Sequence, residues 1–249
     1  LTYLYNMAKE WFEDWFDTKY YHILYKNRNF TEAENFIDKL LAFLQPNEND
    51  NFIDIACGKG RHSLYINKKG YPVVGYDLSK ESIAAANKFK KRDLEFYVHD
   101  MRQIFRTNYF NFAFNLFTSF GYFKSSRDEL NAILSASKNL KLNGILVIDF
   151  LNRDNVIANI IPKEIKIIEG IKFRISKEIK KDQVVKTIEF TDDGKDFKFQ
   201  ESVKLLSLKD FKEYLKKGNL EITQVFGNYN LDLHSEESER LIIIAKKIG

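Results

Sequence analysis

The segment Phe52 to Ser63, FIDIACGKGRHS, constrains this chain more than any other stretch. Phe52, Ile53 and Ile55 form an apolar run directly ahead of Gly58 and Gly60. A buried strand therefore enters a turn whose backbone takes positive φ and leaves room for a ligand, and the chain then continues into a helix. A G-x-G is common in ordinary tight turns. Here it is followed by VVGYDLS, in which Asp77 closes a second apolar run about 20 residues further on, where doubly wound folds present a carboxylate to a ribose. Asp77 is also a possible cap for the next helix, a role for which Ser79 is better suited.

The alternation extends in both directions. A helix is expected over Thr31 to Leu44, with Thr31 and Glu34 at capping-box spacing and Pro46 ending it. After the strand at Phe52, the pattern predicts a helix from His62 to Lys68, a strand from Pro72 to Tyr76 and a helix from Lys80 to Lys90. Strands follow at Leu94 to Val98 and Asn111 to Phe117, then a helix from Arg127 to Leu140. Asn143-Gly144 reads as a turn into a strand from Ile145 to Phe150. From Lys163 to Leu206 the runs become strand-like and are broken by polar turns such as Asp193-Gly194, which predicts an antiparallel β insertion. A helix from Leu208 to Lys217 and strands at Leu220 to Phe226 and Arg240 to Lys246 return the chain to the main sheet. The expected architecture is α/β: a doubly wound, seven-stranded, mainly parallel sheet with an antiparallel β insertion after strand five. Residues 1–50 are expected to form a helical cap segment, and 51–249 a domain carrying the insertion at about 160–206.

Composition narrows the function classes. Apolar residues at 44% and charged residues at 30% fit a folding globular chain. A net charge of +4 spread over scattered lysines forms no compact basic stripe, so nucleic acid is not an indicated partner. The single cysteine, Cys57, rules out an intrachain disulfide and a Cys-rich zinc site, and fits a reducing, cytoplasmic setting. No metal is expected. The N-terminal residues lack signal-peptide character, and no apolar run reaches the roughly 18 residues of a membrane span.

Two residues separate the candidate cofactors. Ser63 stands where a dinucleotide fingerprint wants Gly or Ala. Asp54, four residues ahead of the glycines, suits orienting the turn and a cationic amino group, and would sit poorly beside a diphosphate. At this point the sequence resembles the class I S-adenosylmethionine-dependent methyltransferases, from Phe52 to the C-terminus. DIACGKGR resembles their first motif, VVGYDLS their second-strand motif, HDMR (His99 to Arg102) the acidic turn after strand three, and LKLNGILVIDF the entry to strand five. Asn143 departs from the family's usual Pro-like residue before the glycine. CGKGRHSLY also resembles small-molecule and tellurite-resistance-like methyltransferases.

The resemblance implies a Rossmann-like methyltransferase that binds S-adenosylmethionine and releases S-adenosylhomocysteine. Gly58 and Gly60 would contact the methionine part, Asp77 the ribose hydroxyls and Leu78 the adenine face. Asp100 and Met101 would flank the adenine. Ala56, Cys57, Arg102, Leu116 and Phe117 complete the expected cofactor set with Asp54. Arg61 and His62, straight after the glycines, would pair with the cofactor carboxylate, or else Arg61 lies on the helix surface. Tyr20, Tyr21, Tyr25 and Arg28 resemble the cluster that some small-molecule methyltransferases fold over the cofactor, or else pack on the sheet. The segment NLFTSFGYF, Asn115 to Phe123, is expected to line the pocket through Thr118, Ser119 and Tyr122, with many of its Phe residues in the core.

Methyl transfer from a sulfonium is an in-line displacement in which positioning is the protein's main contribution, so a general base is optional. His22, His99, Asp149 and His234 could supply one. Tyr122, His22 and Asp149 are the catalytic candidates. The β insertion is placed to wall an acceptor site or to mediate dimerisation, which leaves monomer and homodimer open. The expected function is methyl transfer to a small-molecule acceptor, with a non-catalytic S-adenosylmethionine-binding protein and an NAD-dependent oxidoreductase as alternatives.

Overall fold

Strand β1 (Phe52–Ile55) is buried at all four positions, because it lies inside a sheet covered on both faces. It pairs in parallel with β2 (Val73–Asp77) on one side and β4 (Phe110–Asn115) on the other. The computed structural model describes residues 15–26 and 30–249; Arg28 lies outside them. With β3 (Leu94–Val98), β5 (Leu140–Leu151), β10 (Leu220–Phe226) and β11 (Arg240–Lys247), these strands form a seven-stranded sheet of order β10-β11-β5-β4-β1-β2-β3. β11 runs antiparallel to both β5 and β10, and the other pairings are parallel.

Alternation along β5 and β11 divides the core. Leu146, Ile148 and Phe150, with Leu241, Ile243 and Ala245, face α5 (Ser126–Asn139) and α7 (Leu208–Lys217). Val147, Ile242 and Ile244 face the side covered by α2 (Phe30–Leu44), α3 (Arg61–Lys68) and α4 (Lys80–Ala86). Ser79, Ser125 and Ser207 cap α4, α5 and α7, each accepting a backbone N–H three residues on.

Several boundaries differ from the sequence expectation for local reasons. Thr31 lies inside α2, so it is not the cap. The helix at Lys80 is α-helical only to Ala86 and continues as a 3-10 turn at Asn87–Phe89. β4 ends at Asn115 because Phe117 and Thr118 take φ of 64° and 58°. Asn143, at φ 65°, sits within β5 rather than before it, and the β4–β5 register shifts between Phe110 and Phe112. A short helix, α6 (Arg153–Asn159), capped by Asn152, was not expected.

The insertion is a separate four-stranded antiparallel sheet: β6 (Lys163–Ile168), β7 (Ile171–Lys180), β8 (Gln183–Asp192) and β9 (Lys195–Lys204), in that order. Its inner face carries Ile171, Phe173, Ile175, Ile188 and Phe190. Trp15 covers it together with Tyr20 and Leu24 of α1 (Lys19–Leu24). Of the described N-terminal residues, Trp15, Tyr20 and Leu24 therefore pack on the insertion, whereas Phe16 also packs against the main core beside Tyr122. The buried Lys204–Glu129 pair, at 3.2 Å, ties β9 to α5. Among the described residues no helix is long and apolar enough to cross a membrane.

Candidate active site

The turn between β1 and α3 bends through three left-handed residues, Ala56, Gly58 and Gly60. The glycines serve different ends. A Cβ on Gly58 would meet nothing within 4 Å, whereas one on Gly60 would lie 2.6 Å from the Phe96 ring. Gly58 thus faces open space, and Gly60 lets the turn press against β3.

Asp77, at the end of β2, accepts the Gly58 N–H on Oδ2 and the Ser79 N–H on Oδ1, each at 2.8 Å. Burial raises its pKa, against the pull of these backbone donors. Asp54 is 2% exposed and accepts a 2.6 Å bond from the Ser63 hydroxyl, which ties β1 to the first turn of α3. Burial pushes its carboxyl up to about 7 in spite of that bond. The Cys57 thiol is driven up by burial and by Asp54 and Asp77 beside it.

A cavity of about 440 Å³ opens at the carboxyl ends of β1, β2 and β4, where order reverses in such sheets. Ala56, Cys57, Gly58 and Arg61 line it from the turn and α3. Asp77, Leu78, Asp100 and Met101 line it from the ends of β2 and β3, and Leu116, Phe117, Ser119 and Tyr122 from the loop after β4. The N-terminal segment contributes His22 and Tyr25.

Asp54, Gly60, Arg102, Thr118 and Asp149 were expected at the site but are not in this wall. Asp54 lies in β1 behind the turn, and Gly60 is part of the turn but faces the Phe96 ring. Arg102 folds back onto Asp100 through bonds of 2.6 to 3.0 Å, and its guanidinium lies 5.0 Å from the Phe123 ring centroid. Burial works to raise Asp100, but the Arg102 contacts outweigh it and hold the carboxyl below the usual range. Asp149, in β5, is 0% exposed. It accepts from Phe117 N–H at 2.8 Å, from Arg240 Nε at 2.8 Å and from the Tyr229 hydroxyl at 3.2 Å. Arg240 also reaches the Thr118 hydroxyl at 2.8 Å. Asp149 therefore anchors the left-handed Phe117-Thr118 corner.

Among the remaining candidates, the Arg61 guanidinium lies 4.6 Å from the Phe117 ring centroid, and the Tyr122 hydroxyl donates to the Thr118 carbonyl. His99 lines the cavity with Nε2 2.9 Å from the Gln103 carbonyl oxygen, and His234 lies away from it. Tyr20 is buried against Phe190 and Phe197 of the insertion.

The sequence reading missed Phe16, Lys26, Lys59 and Tyr76, which also line the cavity. Tyr76 is 1% exposed, and among the described residues its hydroxyl has no hydrogen-bond partner. Its place next to Asp77 at a strand end was the available signal. No group of three or more His, Cys, Asp or Glu among the described residues is arranged to hold a metal.

A family model described as a methyltransferase domain matches residues 46–204, more than half of the chain. Over 102 residues the chain is 28% identical to the dTDP-3-amino-3,4,6-trideoxy-alpha-D-glucopyranose N,N-dimethyltransferase of Streptomyces venezuelae. That match covers 41% of this chain and 43% of the relative, less than half of either. The fold matches a crystal structure of an S-adenosylmethionine-dependent methyltransferase from Clostridium acetobutylicum ATCC 824, with TM-score 0.78 and 20% identity over 92% of this chain and 96% of that one. It also matches an S-adenosylmethionine-bound amino pentose methyltransferase from Micromonospora echinaspora, with TM-score 0.69 and 17% identity over 92% and 97% of the two chains. This chain belongs to the methyltransferase-domain family.

Proposed function

We propose that the chain transfers a methyl group from S-adenosylmethionine, bound in the 440 Å³ cavity, to a small-molecule acceptor. The observation that carries this reading is Asp77: a carboxylate anchored by the Gly58 and Ser79 amides at the edge of a cavity whose floor is a left-handed glycine turn.

The residues suit the ligand. Each Asp77 oxygen has lone-pair capacity beyond its backbone donor, so the carboxylate would accept both ribose hydroxyls. Leu78 and Met101 would offer apolar faces to the adenine, with Asp100 at its polar edge. The orphaned Tyr76 hydroxyl is a buried polar group that a nucleoside would satisfy. Arg61 would meet the ligand's carboxylate, and Gly58 would let the backbone approach its methionine part. S-Adenosylmethionine, when bound, supplies an electrophilic methyl and a neutral thioether leaving group. The protein's share is to align the acceptor and exclude water, with Tyr122 and His22 nearest that task. The N-terminal segment, which walls the cavity through Phe16, Tyr21 and Tyr25, favours a small acceptor over a macromolecule. The amino-sugar substrates in the names of two similar proteins point the same way.

The test is thermal unfolding with S-adenosylhomocysteine, S-adenosylmethionine, NAD and no ligand. At about 100 times the dissociation constant a ligand adds roughly 2.7 kcal/mol, a shift on the order of 5 to 10 °C for a chain of this size. A shift with the adenosyl compounds alone is expected; no shift with them, or a shift with NAD only, would overturn the reading.

A further inference from the structure

Within the span Ile171–Ile179 of β7, Val184–Phe190 of β8 and Phe197–Val203 of β9, the inner face of the insertion sheet is apolar at every second residue except along one rung, while β6 beside them brings Glu164 and Lys166 to the same face. Across β7, β8 and β9 the paired sets Ile175, Ile188, Phe199 and Ile179, Val184, Val203 flank a third set, Lys177, Lys186, Glu201. Like charges directly opposite each other on neighbouring strands repel, and half-buried ammonium groups lose hydration. Packing alone gives no reason for two lysines at these positions.

The surroundings do. Trp15 and α1 cover the apolar part of the face, while the charged rung opens on a second cavity of about 310 Å³, closed across from it by Val156, Asn159 and Ile160. Glu201 is already engaged: Oε1 accepts from Trp15 Nε1 and from the Tyr25 hydroxyl, each at 2.7 Å, and Oε2 lies 3.2 Å from Lys186 Nζ. Lys186 also donates to the Tyr25 hydroxyl, and Lys177 pairs with Glu164 at 3.0 Å. An ammonium has three donors. Among the described residues these contacts leave donors on both lysines, beside a cavity in which the one carboxylate is occupied.

We infer that this second cavity is the acceptor compartment and that the methyl acceptor carries an anionic group, phosphate or carboxylate, held between Lys177 and Lys186. The assignment of an acceptor rests on the cofactor reading of the first cavity. Tyr25 links the two spaces: it lines the first cavity, and its hydroxyl is bonded to Lys186 and Glu201, which line the second. An acceptor anchored at the lysines extends past Tyr25 toward the methyl donor.

The test is calorimetric titration of the full chain, with and without saturating S-adenosylhomocysteine. Inorganic phosphate and citrate are the probes, and chloride at matched ionic strength is the control. At least one probe should bind more tightly than chloride, weaken at least fivefold in Lys177→Gln and recover in Lys177→Arg; the stronger probe names the anionic group. Lys177 is the safer position to vary, because Lys186→Gln strips a buried partner from Glu201. Binding of neither probe above chloride, or equal binding by Lys177→Gln and the unaltered chain, overturns the inference. Failure of S-adenosylhomocysteine to bind in the same titrations overturns the cofactor reading instead, so the two failures are read separately.

Discussion

Ser63 donates a 2.6 Å hydrogen bond to Asp54, and both are closed off from solvent, at 0% and 2% exposure. The bond joins the strand before the glycine turn to the helix after it, so it sets the shape of the cavity floor without touching the cavity. Ser63→Ala removes the side-chain donor and leaves a buried carboxyl group under-satisfied, at a cost of about 1 to 3 kcal/mol. Urea unfolding measures this; a loss below 0.5 kcal/mol, on the scale of an ordinary surface change, would mean the bond is not formed.

The same carboxyl gives stability a pH slope. Asp54 titrates near 7 in the folded chain, against an ordinary value of 3.8. Between about pH 4 and 7 the native state therefore binds more protons than the unfolded state, and stability falls as pH rises through that window. Asp54→Asn deletes this contribution. Its stability relative to the unaltered chain should climb by a few kcal/mol from pH 4 to 7, at about 1.4 kcal/mol per pK unit. Glu129, also raised by burial to about 7, has the same sign and cancels in the comparison. A stability difference flat with pH would show that Asp54 titrates normally.

Gly60 and Gly58 should respond differently to substitution. A methyl at Gly60 would meet the Phe96 ring at 2.6 Å, so Gly60→Ala should cost about 1 to 3 kcal/mol from overpacking in addition to the strain of φ 79°. Phe96→Leu should return part of the overpacking cost in a double-mutant cycle. Gly58→Ala carries only the backbone strain in stability, but should weaken S-adenosylhomocysteine binding, because its methyl projects into the cavity. Equal effects of the two changes on both measurements would erase this distinction.

Asp77→Ala should weaken S-adenosylmethionine binding more than tenfold. It also strands the Gly58 and Ser79 amides, so Asp77→Asn, which keeps an acceptor for one of them, separates ribose recognition from turn support. Calorimetry on both variants decides the role. Unchanged affinity in each would remove Asp77 from the cofactor site.

The sheet was legible because its strands are continuous apolar runs and its helices have clean ends: Ser79, Ser125 and Ser207 cap where a polar residue precedes each helix. Gly58 and Asp77 were legible because their spacing is local to one βαβ unit. What escaped depends on partners far along the chain. Nothing near Trp15 or Tyr20 announces that they pack on strands more than 150 residues away, as the bonds from Trp15 to Glu201 and from Tyr20 to Asp192 record. The charged rung of the insertion was equally hidden, since Lys177, Lys186 and Glu201 align only once the register is known. Arg102 was expected at the cofactor, but Asp100, two residues before it, offered a nearer partner.

Asp149 shows how a catalytic candidate is reassigned by its partners. A general base needs a lone pair facing the acceptor, yet this carboxylate is fully buried, pairs with Arg240 at 2.7 Å and holds the Phe117 amide. Removing one member of a buried ion pair leaves the other charge uncompensated, so Asp149→Asn should destabilise the fold by about 3 to 5 kcal/mol. The Phe117-Thr118 corner should loosen with it and weaken S-adenosylhomocysteine binding. A base would behave otherwise: methyl transfer would fall while stability and cofactor affinity stayed level. Urea unfolding and calorimetry on the same Asp149→Asn preparation separate the two, and unchanged stability with lost turnover would return Asp149 to the catalytic set.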